Sequence, residues 1–94
     1  MPDNDFEATK QKFIDQKSES FDRLEREISE AMKSDAGGER AMMALQRARA
    51  SALAAVERLR HVDEDGLMVA VQNADDALSI AYERLNAASS ANVA

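Results

Sequence analysis

The sequence predicts an all-α fold, an antiparallel bundle of three helices that self-associates. Apolar residues recur at steps of three and four along most of the chain, the spacing of one helix face at about 3.6 residues per turn. No segment alternates as a strand would. Two interruptions divide the pattern, Ser34-Asp35-Ala36-Gly37-Gly38 and Asp63-Glu64-Asp65-Gly66. Aromatic residues make up 4% of a chain that is 45% hydrophobic, so alanine fills the apolar faces. Small core residues let helices approach closely, as in slim bundles.

The first helix is expected to run to about Ser34, with Asp3, Asn4 and Asp5 supplying N-cap side chains and negative charge at its start. Its stripe is Phe6, Phe13, Ile14, Phe21, Leu24, Ile28, Ala31 and Met32, one core-facing side. Lys10 and Lys17 fall inside that stripe. They either snorkel at the end of the bundle, pair with an acid on a partner, or mark a first half that is only partly buried. On the outer face, Glu19 with Arg23, Asp22 with Arg26, Arg23 with Glu27 and Arg26 with Glu30 stand at i,i+4 and read as a solvated surface. Gly37 or Gly38 can take the left-handed conformation that ends this helix, and Lys33 suits its C-terminal dipole.

The second helix, roughly residues 39–62, carries apolar residues on two opposite sides. The core stripe is Ala41, Leu45, Ala48, Ala52, Ala55, Leu59 and Val62. A second line, Met43, Ala50 and Ala54, follows steps of seven and four on the far side, with Leu53 at its edge and His61 closing it. Alanine is tolerated anywhere on a helix because its propensity is the highest; the sharper reading is a second interface. Met42 and Met43 add thioether side chains that adapt to irregular partners, although methionine also fills ordinary core gaps.

Arg58, Arg60 and His61 are expected in the last turn of the second helix, and Asp63, Glu64 and Asp65 in front of the third, so charge matches the helix dipoles on both sides of a break. Continuing the second stripe past Val62 would give Gly66, Val69, Asn73, Asp76 and Ile80. The dominant face instead becomes Leu67, Val71, Ala74, Leu78, Ala81, Leu85 and Ala88. The phase jump favours a break over the alternative, a helical hairpin whose second helix is long and unbroken. The third helix, about residues 65–88, is flanked by Ala70, Ala77 and Tyr82, with Val69, Ile80 and Ala87 on a minor second side. Residues 1–94 form one domain, with residues 1–4 and 89–94 expected to be disordered.

The chain has 94 residues, one histidine and no cysteine. Disulfides, thiol catalysis and cysteine zinc sites are therefore excluded. Any histidine site must run through His61, and no Glu-x-x-His or His-x-x-x-His spacing surrounds it. Asp63-x-Asp65-Gly66 resembles the middle of a calcium loop, but that register puts His61 at the first ligand and Gln72 at the twelfth, where a glutamate is needed. Asp75 and Asp76 are adjacent, so they point about 100 degrees apart and form no carboxylate dyad. The expectation is a chain without catalytic residues, cofactor or metal.

A net charge of −6 disfavours nucleic acid and anionic lipid as partners. A helix-turn-helix reader needs a basic recognition helix, whereas the third helix sets Asp75, Asp76 and Glu83 against Arg84. No apolar run reaches the roughly 20 residues of a membrane span, and the acidic Asp3-Asn4-Asp5 start is unlike a signal peptide. Cytoplasmic residence is expected, with leaderless export as the alternative.

In layout, two helical arms around the turn Asp35-Ala36-Gly37-Gly38 in a cysteine-free chain of this length, the protein resembles the small WXG100 secretion proteins. Its turn has no tryptophan, and Tyr82 is followed four residues later by Asn86 where the family's export signal carries an acid. The resemblance implies a secretion-system substrate or chaperone as one alternative function. An acidic inhibitor of a host machine is another, and a structural subunit of an enzyme a third. The leading expectation is a non-enzymatic interaction, adaptor or assembly protein that packs a helix face on itself or on a protein partner. Its contact residues would be Met43, Ala50, Leu53, Ala54 and His61.

Overall fold

The computed structural model describes residues 2–34 and 38–91. Three helices account for most of them: α1 (Pro2–Lys33), α2 (Gly38–Leu59) and α3 (Leu67–Ala91). The three-helix bundle is thus the observed fold, with α1 the longest at 32 residues. A break does separate α2 from α3, so the hairpin with one unbroken second helix is not formed. Asp35, Ala36 and Gly37 of the first turn lie outside the described residues, as do Met1 and residues 92–94. Residues 2–4 and 89–91, assigned by the sequence to frayed ends, continue α1 and α3.

Direction follows from the pairs that join the helices. Arg49 pairs with Glu25, and Lys10 Nζ donates to the Val62 carbonyl at 2.9 Å, so α2 runs back along α1. Lys17 pairs with Asp75, and the Tyr82 hydroxyl donates to the Ser20 carbonyl at 3.2 Å, so α3 runs parallel to α1. The two lysines inside the α1 stripe are therefore paired within the chain rather than with a partner. Lys10 also lies 5.7 Å from the centroid of the Phe6 ring, a cation–π contact of about 0.5–1 kcal/mol at an exposed site.

The core follows the expected stripes, with one addition. Leu24, Ile28, Leu45 and Leu59 are fully buried, and so is Val56, one turn after Ala52. Val56 extends the α2 stripe toward α1, where Ala55 alone would leave a gap. All seven residues of the α3 stripe are buried, together with Ala70. Met32 departs from the α1 stripe and is 41% exposed, because it sits in the last turn of α1 next to the chain reversal. The bundle is thin, measuring 56 × 17 × 16 Å over its Cα atoms. Among the described residues no buried residue is polar or charged.

Helix ends differ from expectation in instructive ways. Pro2 is the first residue of α1, a position where its missing N–H costs nothing, so Asp3, Asn4 and Asp5 lie inside the first turn rather than capping it. Ser34 closes α1, its hydroxyl donating to the Ala31 carbonyl at 3.0 Å. Arg60 and His61 fall beyond α2, not in its last turn. Their N–H groups donate to the Glu57 and Arg58 carbonyls at 3.0 Å, tightening the exit while Lys10 takes the Val62 carbonyl. Asp63 Oδ1 accepts the Gly66 N–H at 3.0 Å, and the Gly66 carbonyl accepts from Ala70 at 3.0 Å as α3 begins. This segment is a turn with a helix cap, as the non-calcium reading requires.

The expected i,i+4 ion pairs on the outer face of α1 do not close within 4.0 Å; Lys33 and Glu30 approach to 3.7 Å instead. Exposed pairs gain too little to hold two long side chains together.

The two described glycines have different roles. Gly38 has φ +82° and stands at the entry to α2, not at the exit from α1, with open space where a Cβ would project. Gly66 has ordinary φ, and a Cβ there would meet Asp63 Oδ1 at 3.4 Å, a normal contact. Gly38→Ala should destabilise by about 1 kcal/mol or more from backbone strain, whereas Gly66→Ala should be neutral or stabilise by about 0.5 kcal/mol. Urea unfolding curves of both variants check this.

Ser18 Oγ is buried on α1 without a hydrogen-bond partner among the described residues. Ser18→Ala removes an unpaired hydroxyl and improves helix propensity, so it should stabilise by about 1 kcal/mol in the same assay.

Burial raises the pKa of Tyr82 above its ordinary 10.0; the nearby Glu27 charge adds to the rise and Arg23 opposes it. The folded state therefore holds the phenol proton more tightly than the unfolded chain. Below pH 10 both states are protonated and nothing is lost; as pH rises further, stability falls. Thermal melts above pH 10 should decline less steeply for Tyr82→Phe than for the natural chain.

Candidate interaction surface

Helix geometry sorts the exposed apolar residues of α2 onto different sides. Met43, Ala50 and Ala54 are all exposed, Met43 by 52%, on the side away from the core. Leu53, 36% exposed, is separate from them. It stands four residues after Arg49, whose guanidinium pairs with Glu25 and lies 5.8 Å from the Phe21 ring centroid, so Leu53 borders the seam with α1. His61 is exposed but belongs to the turn after α2. Met42 packs on the core, leaving Met43 as the exposed member of the pair.

The largest exposed side chains of α3 are Met68, Val69 and Ile80, at 65%, 64% and 50%. Val69 and Ile80 are three turns apart on one side, and Met68 lies to the flank. Between α2 and α3 runs a shallow groove. Ala44, Arg47, Ala48 and Ser51 line it from α2, and Asn73, Asp76, Ala77, Ile80 and Arg84 from α3. Its floor is low because alanine and serine project little beyond the backbone. Arg47 stands four residues after Met43 and three before Ala50, so the outer line of α2 forms the far bank of this groove. The contacts with α1 use other positions, Arg49 on α2 and Asp75 and Tyr82 on α3. One side of the α2–α3 pair is thus covered by α1, while the other combines small residues with Met43, Val69 and Ile80.

Charge on this open side is divided between the helices. Arg40, Arg47 and Arg58 lie along α2 at steps of seven and eleven, which return to the same face. Asp76 and Glu83 lie along α3 at a step of seven, with Arg84 on the groove wall. Among the described residues none of these six comes within ion-pair distance of an opposite charge. Also among the described residues, no three histidine or acidic side chains converge as metal ligands would.

Met43, Ala50 and Ala54 therefore share one surface, from which Leu53 and His61 stand apart. Sequence reasoning placed Val69 and Ile80 on a minor side of the third helix but did not join them to this surface. Their spacing was the available signal; which faces of two helices coincide depends on how the helices dock. No family model, curated protein or solved structure matches the chain.

Proposed function

We propose that this chain is a non-enzymatic helical interaction or assembly protein that acts by packing a helix face on itself or on a protein partner. The observation that carries this reading is the open side of α2–α3, where Met43, Val69 and Ile80 are each at least half exposed around a floor of alanine and serine. Covering such a face releases water from apolar surface at about 25 cal/mol per Å². Small residues let a partner helix come close, and the unpaired charges beside them align the encounter. The mechanism needs no cofactor. No helix among the described residues is long and apolar enough to cross a membrane, and we place the protein's action in the cytoplasm. A secretion cargo, chaperone or inhibitor would use the same face.

A photo-cross-linking residue introduced in cells at Ile80 or Ala50 should give discrete protein adducts. The same residue at Glu19, on the exposed surface of α1, should not. No adducts from the first two positions, or equal adducts from all three, would overturn the reading.

A further inference from the structure

We infer that the open side of α2–α3 is covered by a second copy of this chain, with α2 of each copy lying antiparallel on α3 of the other. This rests on the reading of the protein as one that packs helix faces, and it names the partner.

Charge selects the arrangement. A two-fold axis perpendicular to the bundle would lay α2 on α2 and α3 on α3, bringing arginine line to arginine line and acid to acid. An axis parallel to the bundle lays the arginines of α2 on the acids of α3. It also leaves the helices antiparallel, because α2 and α3 already run oppositely within one chain. Closed two-fold pairs of this kind are the commonest oligomers.

Register then follows from the single chain, since rotation about an axis along the bundle keeps each residue at its own level. Ala48 and Ser51 border the groove with Ala77 and Asn73, and Ala44 borders it with Arg84. Arg47 is accordingly level with Ser79, and across the interface it reaches both Asp76 and Glu83 of the second copy, within a turn on either side. At the same register Ile80 of the second copy comes between Met43 and Ala50, and Val69 comes beside Ala54. The exposed apolar residues of each helix thus meet those of the other helix where opposite charges also meet. A level shift of one turn would lose both matches together.

The test uses the purified chain and two charge reversals, Arg47→Glu and Asp76→Arg, with mass read by light scattering over a wide range of concentration and helicity by circular dichroism. Both positions are exposed, so helicity should be unchanged. The natural chain should run as two-chain particles and each variant alone as single chains. An equimolar mixture of the two variants should recover the two-chain mass, because the two reversed charges then face each other at one contact while the natural pair survives at the other. Ala50→Glu gives a second route to the same loss should either reversal lower helicity.

A natural chain that stays single at every concentration overturns the inference, yet adducts with another protein from Ile80 or Ala50 would still support the broader reading. Dimers that survive all three substitutions place self-association on another face and overturn it. Variants that are single apart and remain single when mixed overturn the Arg47–Asp76 pairing.

Discussion

The rest of this structure depends on how close the three helices come, and alanine sets that distance. Ala52, Ala74 and Ala81 are completely buried along the axis of the bundle, and the cross-section over Cα atoms is 17 by 16 Å. A buried methyl or methylene removes little apolar surface, about 0.8 kcal/mol per group. Leu24, Ile28, Leu45, Val56 and Leu59 therefore supply much of the burial that holds the helices together. A chain of 94 residues hides only roughly 60–65% of the surface its unfolded form exposes. With so slim an interior, apolar residues of two helices remain on the outside.

Polar contacts determine which side is left open. Arg49 with Glu25 ties α1 to α2, and Lys17 with Asp75 and Tyr82 with Ser20 tie α1 to α3. Lys10 adds a hydrogen bond to the carbonyl of Val62, in the turn after α2. Together these contacts seat α1 over one side of the α2–α3 pair. The other side has no helix upon it, and it is there that alanine, serine, Met43, Val69 and Ile80 come together. Charge is distributed accordingly. The outer surface of α1 mixes acids and bases at neighbouring positions, whereas the open side keeps bases on α2 and acids chiefly on α3. A mixed surface suits solvent; a segregated one favours a partner with the reverse order.

By itself the sequence determined the helices, their breaks and nearly all of their buried faces. Periodicity reports burial directly, because a helix pressed on one core must repeat its apolar residues at about 3.6, and the phase jump at Asp63-Glu64-Asp65-Gly66 marked where one helix could not continue as the next. The same reasoning located the outward line Met43, Ala50 and Ala54. Only the tertiary structure decided what that line belongs to. Whether Val69 and Ile80 lie beside it, whether Leu53 turns toward α1 and whether Lys10 and Lys17 find partners in their own chain all depend on how helices distant in sequence are rotated against one another. That rotation is set by the packing of Val56, Leu45 and the axial alanines against their neighbours, which no single helix encodes alone.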